Sequence, residues 1–383
     1  MKITQVECVP LSLPSSRGRT NNVLMVKIHT DEGITGIGDG GGVNQDIVTA
    51  MVNSWKPFLI GANPLDRGVI MSRLSMFIRS VWGPSYPAAV ATVDFALWDL
   101  VGKIMNQPVY QLLGGKAVDK LRFEYYVVPD SSPDGVEKAL TLSEELVDGG
   151  VTCLGIKSTG FGGNRSLDAD VATIQAVAKK FGDKAEVAYD ANASLDYYEA
   201  LQLGRAVDDF NMFKYEQPVV TSDIEGLAAL RSALKTPICS HESSVLVTGL
   251  VECIKKNAVD ILGTKLVSAG GITEGLRWGA IAKESNLGIY CGAMNGPWEA
   301  AAQAHWLCTD AAYGKQAHAN YYPLMMYGTL DTTKPVDVDI IKNPMVYKDG
   351  YFYPPDGPGL GLELNEEAVP RYLTEGKSIV TVE

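Results

Sequence analysis

Two rhythms of apolar and polar positions divide the chain. In the first, VLMVKIHT and ITGIGDGG flank Asp31-Glu32-Gly33, and this alternation around a glycine-bearing turn predicts a β-hairpin. Helical spacing follows: Val93, Leu97, Leu100 and Ile104 fall on one face, and Pro108 with Gly114-Gly115 punctuates the end of the region. From about Leu121 short apolar runs alternate with amphipathic stretches. FEYYVV, VTCLGIKS, EVAYDAN, FKYEQP, PICSHE, DILGTKLV and LGIYCGA read as strands, with a weak eighth around Ala319 to Tyr322. Val171, Ile174, Ala178 and Phe181 make the face of one intervening helix, and Ser222 with Glu225 predicts a capping box at the start of another. The tail, PMVYKDGYFYPPDGPGLGLELN, has the glycine, proline and aromatic content of a hairpin and loop. The predicted fold is α/β: a (β/α)8-type barrel over residues 119–322, an α+β capping domain over 1–118, and a segment 323–383 that packs back on the capping domain.

Composition narrows the classes. A chain of 383 residues, 46% hydrophobic, holds one barrel-sized core and a smaller companion. A formal charge of −12 with no basic run excludes nucleic acid and anionic membrane surfaces as partners. Six cysteines without CxxC spacing, no hydrophobic leader after Met1 and no bilayer-length apolar run lead to the expectation of a reduced cytoplasmic protein.

The chemistry is carried by spacing. Asp190, Glu216 and Glu242 each follow a β-like run at intervals of 26 residues, the length of one strand plus one helix. Three successive strands would then deliver one carboxylate each to the face where barrel active sites lie, and an all-oxygen set suits a hard cation such as Mg²⁺. Taken singly, such an acid is a solvated loop residue or a helix cap; the repeat is what gives the three meaning. Lys157 ends the second barrel run and Lys265 the sixth, on opposite sides of an eight-strand ring, so two amines would flank the cation. A lysine near a dication and a second ammonium has its amine form favoured, as a base requires.

The helix ATVDFALWDLVGKIMNQPVYQLLGG, the acid ladder, the double glycine of SAGGITEG and the closing PDGPGLGLEL give the chain a resemblance, over nearly its whole length, to the mandelate racemase and muconate lactonizing group of the enolase superfamily. The resemblance implies a modified, (β/α)7β barrel, one Mg²⁺ per subunit on Asp190, Glu216 and Glu242, a small carboxylate substrate, a homo-oligomer, and proton transfer by Lys157 and Lys265. No histidine lies in the seventh run, so the two lysines resemble the muconate lactonizing branch. Several positions depart from that pattern. Gly155 stands where a first lysine is usual, His241 stands beside Glu242 where an acid is common, and Asn295 replaces an acid near the seventh strand. Asn192 and Gln217 follow two of the acids as partners or loop polars. Arg17, Arg19, Arg79 and Trp82 fall in segments that cover the barrel mouth in the family, and Tyr125, Tyr126 and Trp298 are candidate pocket aromatics. The expected activity is α-proton abstraction from a carboxylate through an enediolate, as a racemase or epimerase. A muconate-type cycloisomerase or a syn-dehydratase of a β-hydroxy acid is the alternative, and a non-catalytic metal-binding barrel is the alternative of another class.

Overall fold

The computed structural model describes residues 1–14, 20–41, 44–78, 85–292, 296–319 and 339–383. Strands β1 (Ile3–Pro14), β2 (Thr20–Thr30) and β3 (Thr35–Gly41) form an antiparallel sheet, with the expected hairpin turn at Gly33 in the left-handed region, φ 78°. The run VLMVKI has an apolar residue at nearly every position because both faces of this sheet are covered. Val23 and Met25 join the large core shared with the barrel, and Leu24, Val26 and Ile28 join a second core against the helices of the N-terminal domain.

The long helix Ser85–Ile104 crosses β3 closely enough to explain the alternate glycines of TGIGDGG. A β-carbon on Gly36 or Gly38 would lie 2.2 Å from Ala96 O or 2.4 Å from Thr92 O. Buried Asp99 on that helix accepts from Ile37 N of β3 at 2.8 Å and from Leu360 N of the tail at 2.8 Å, tying three distant segments together. Buried Asp94 accepts from Thr273 N, at the start of helix Ile272–Glu284, at 2.9 Å. Arg67, 3.6 Å from Asp94, lies over the Trp98 ring at 3.5 Å and closes that junction.

The second sheet is a run of parallel neighbours in chain order: β4 (Leu121–Val127), β5 (Cys153–Lys157), β6 (Glu186–Asp190), β7 (Lys214–Glu216), β8 (Ile238–Cys239), β9 (Ile261–Lys265) and β10 (Gly288–Gly292), with helices between them. β11 (His318–Ala319) lies parallel to the other edge of β4, so the sheet curls toward closure. Side chains complete it: His318 Nδ1 accepts from Cys291 N of β10 at 3.1 Å, and Nε2 lies 2.6 Å from Tyr313 O. The fold is a (β/α)7β barrel with an N-terminal α+β domain. Three details differ from the sequence reading. Asp223, not Ser222, caps helix Ile224–Ala233, accepting from Gly226 N at 2.8 Å. The tail divides: hairpin strands β12 (Tyr347–Lys348) and β13 (Tyr351–Phe352) dock on β4 of the barrel, whereas the stretch from Gly359 onward packs on the N-terminal domain as expected, through a bridge of Leu373 to Leu11 and through β14 (Val380–Val382) on β1. Of the weak eighth strand, His318–Ala319 is observed, and residues 320–322 lie outside the described ones. All six cysteines are free and buried, and among the described residues no helix is long and apolar enough to cross a membrane.

The closure histidine gives a pH prediction. Burial pulls the His318 imidazole down from 6.5 to about 4. Its folded-state value is depressed, so the unfolded chain takes up a proton between about 6.5 and 4 that the folded chain refuses. The native state is therefore expected to lose up to ~3 kcal/mol through this group as pH falls across that window, and none above it. Urea unfolding across this range should show a wild-type slope reduced by one proton in His318→Gln; equal slopes would refute the assignment.

Candidate active site

Side chains alternate in and out along a strand, so alternate residues of each barrel strand face the interior. The interior set is Glu124 and Tyr126 on β4, Gly155 and Lys157 on β5, Asp190 on β6, Lys214 and Glu216 on β7, Cys239 on β8, Ile261 and Lys265 on β9, and Tyr290 and Gly292 on β10. Tyr126, Cys239, Ile261 and Tyr290 pack together as a small apolar plug. Charge replaces the usual aliphatic layer around it. Lys157 and Asp190 are opposite in the β5–β6 register, as are Asp190 and Glu216 in β6–β7, so three of the expected site residues stand at one height at the C-terminal end of the barrel.

The Lys157 ammonium donates to Asp190 Oδ2 and to Asn192 Oδ1, the latter at 3.0 Å, and lies 4.2 Å from the centre of the Tyr126 ring. Asn192 N donates to Asp190 Oδ1 at 2.8 Å, with Asn192 held at φ 49°, which makes it a partner of the site and not a loop polar. Beneath them Lys214, fully buried, donates to Glu216 Oε2 and lies 3.0 Å from Glu124 Oε2. Tyr126 Oη donates to Glu216 Oε2 at 3.2 Å, and the Tyr126 and Tyr290 hydroxyls are 2.8 Å apart.

Burial raises the Glu216 carboxyl, but Lys214 and His241 reverse this and hold it well below the usual carboxylate range. Burial pushes Asp190 up, with the Glu216 charge adding to it against Lys157, and pushes Glu124 up to about 7 against Lys214. Burial lowers Lys214 and its two carboxylates raise it, leaving it well above the ordinary lysine value. Two ammonium groups, Lys157 and Lys214, thus pair with three buried carboxylates, and Lys265 and Glu242 add one charge of each sign at the mouth.

Lys265 ends β9 opposite Gly292, and a β-carbon on that glycine would lie 3.9 Å from Lys265 Cε and 3.5 Å from His241 Nε2. Lys265 and His241 therefore border one space beside Gly292. Glu242 is placed differently from the other two acids. β8 ends at Cys239, which is level with Glu216, so Glu242 lies three residues past that height and its side chain is 35% exposed. His241 is the buried residue here: its Nδ1 is 3.0 Å from Glu216 Oε1 and 3.8 Å from Glu242 Oε2. Gln217 is a brace. Its Oε1 accepts from His241 N at 2.9 Å and Ser243 N at 3.0 Å, and its Nε2 donates to Ser243 Oγ at 2.8 Å.

Trp298 is fully buried in the main core, with its backbone N–H donating to Asp39 Oδ2, and Tyr125 packs edge-on to Phe123 outside the barrel interior; both are packing residues. Arg17, Arg19, Arg79, Trp82 and Asn295 lie outside the described residues. Lys214 and Glu124 escaped the sequence reading. Their signal was a charge at an inward position of an otherwise apolar run, MFKYEQP and FEYYVV.

The donor set fits a dication. Glu242 Oε2 and His241 Nε2 are buried without a hydrogen-bond partner, and Glu216 Oε1 and His241 Nδ1 stand 3.0 Å apart, so the pair could share a cation. Among the described residues no three His, Cys, Asp or Glu side chains are gathered around one point; the ammonium groups of Lys157 and Lys214 neutralise two of the acids instead.

Residues 2–114 match the family description "Mandelate racemase / muconate lactonizing enzyme, N-terminal domain", and residues 138–368 match "Enolase C-terminal domain-like". A crystal structure of a mandelate racemase/muconate lactonizing family protein from Azoarcus sp. EbN1 superposes with a TM-score of 0.88 at 34% identity, covering 100% of both chains. The D-galactonate dehydratase of Pectobacterium atrosepticum is 29% identical over 90% of each chain, and the hydrophobic dipeptide epimerase of Enterococcus faecalis 28% over 70% of this chain and 74% of its own. Fold and likeness agree: the chain belongs to the mandelate racemase/muconate lactonizing enzyme family of the enolase superfamily and is an enzyme of the isomerase or lyase kind.

Proposed function

We propose that this enzyme is a racemase or epimerase of a small carboxylic acid, in which Lys157 and Lys265 exchange the α-proton on opposite faces of the substrate. The observation that carries this reading is their placement: both end inward positions at the mouth, one at the end of β5 on Asp190 and Asn192, the other at the end of β9 beside His241. Asp190, Glu216 and Glu242 would hold the dication, with Mg²⁺ the ion that the resemblance implies. When bound, it supplies the positive charge that holds the substrate carboxylate and stabilises the enediolate.

Removing such a weakly acidic proton is the difficult step, and fixed charge near the carboxylate supplies most of the barrier reduction. As amine, either lysine accepts the proton; as ammonium, it returns it from its own side. The buried layer of Lys214, Glu124 and Tyr126 keeps Glu216 ionised and in place. Likeness to the D-galactonate dehydratase favours a second reading, syn-dehydration of a β-hydroxy acid, in which one lysine abstracts the α-proton and, as the ammonium so formed, protonates the hydroxyl departing on the same face.

A screen of carboxylic, amino and hydroxy acids in D₂O with Mg²⁺, read by mass spectrometry, separates them. Racemisation is expected to leave one deuterium at the α-carbon of a substrate that is otherwise unchanged. An α,β-unsaturated acid, or the keto acid it becomes where the α-carbon carries a hydroxyl or amino group, formed without label entering recovered substrate would sink this reading in favour of elimination.

A further inference from the structure

Equal spacing in sequence places Glu242 as the third ligand, but the fold offers a different side chain. Beyond Cys239 the inward parity passes to His241, while Ser240 turns outward to bond Ser244 and Glu242 goes to the rim. His241 is 6% exposed, its Nε2 is buried without a hydrogen-bond partner, and its Nδ1 is turned to the Glu216 carboxylate. The ring is nevertheless fixed. Gln217, the residue after Glu216, grips its backbone N–H, and Tyr290 meets it edge-on at 5.6 Å, so Nδ1 is held toward Glu216 Oε1 at 3.0 Å. A buried, oriented imidazole set against a carboxylate oxygen of an expected ligand, with its other nitrogen unpartnered, is what a nitrogen ligand looks like before its ion is present.

We propose that His241 is a ligand of the dication site together with Asp190 and Glu216, and that the site takes a first-row transition dication in preference to Mg²⁺. Mg²⁺ selects oxygen donors and gives up water reluctantly, whereas an imidazole donor favours the later first-row ions. The inference rests on the dication-assisted reading above and changes one ligand and the preferred ion within it.

The test uses the purified full-length protein, stripped of metal by chelator, with Co²⁺ and Mg²⁺ as probes. Calorimetry is expected to give Co²⁺ binding at least about tenfold tighter than Mg²⁺, and the Co²⁺ protein is expected to show a hyperfine-shifted imidazole proton signal. His241→Asp, checked for native thermal unfolding, should lose that signal and shift the preference toward Mg²⁺. The signal from the unmutated protein decides even if the variant does not fold. Co²⁺ binding without a shifted imidazole signal, and with affinity removed by Glu242→Gln, would overturn the assignment yet leave the proposed function standing. Failure of both ions to bind would remove both.

Discussion

Lys157→Met is expected to abolish racemisation, lowering turnover by about 10³-fold or more, while α-proton exchange survives for one enantiomer only. Methionine keeps the apolar stem against Tyr126 and deletes only the amine, so the change is confined to proton transfer. With Lys265 intact, the enantiomer whose α-hydrogen faces that lysine still washes deuterium in. Lys265→Met should show the mirror result, with exchange confined to the other enantiomer. NMR of each pure enantiomer in D₂O reads both. Racemisation within about tenfold of wild type in either variant would show that the lysines are not the proton-transfer pair. Deleting the Lys157 ammonium also removes a charge from Asp190, so dication affinity should hold or rise as turnover falls, a split that a misfolded variant would not give.

The second large effect concerns stability. Lys214→Met is expected to destabilise the folded protein by ~3–5 kcal/mol, because it strands two buried carboxylates without their cation. Lys214 and both partners are fully buried, so no solvent screening softens the loss. Glu124 is raised toward protonation by burial and stays partly ionised only through Lys214. Adding Glu124→Gln should therefore restore a large part of the lost stability, since the double change removes one stranded charge along with the ammonium. Urea denaturation of the single and double variants measures this. A single-variant cost under about 1 kcal/mol, or no recovery in the double, would mean that the interior charges are already neutral and the network is not electrostatic.

Much of the architecture could be read from the text. The barrel strands are apolar runs of strand length separated by helical spacing, and periodicity is a local property that survives without tertiary information. Asp190, Glu216, Lys157 and Lys265 were legible for the same reason: each is a polar residue at the end of such a run, and in a parallel barrel all strand ends of one polarity meet at one face. The docking of the tail hairpin on β4 and the Asp223 cap were not, since a Gly- and Pro-rich segment carries no address and two neighbouring polar residues compete equally to cap a helix.

The acid ladder marks the boundary between the two kinds of information. Sequence alone determined the repeat, the parallel polarity and the gathering of acids and lysines at one mouth, because these follow from the period and order of elements along the chain. Only the tertiary structure decided that β8 ends at Cys239, that Glu242 consequently stands past the others at the rim, that His241 turns inward beneath it, and that Lys214 and Glu124 meet across the interior. A count of residues measures length along the chain, whereas height and facing in a barrel depend on where each strand stops and on which neighbour it is registered against.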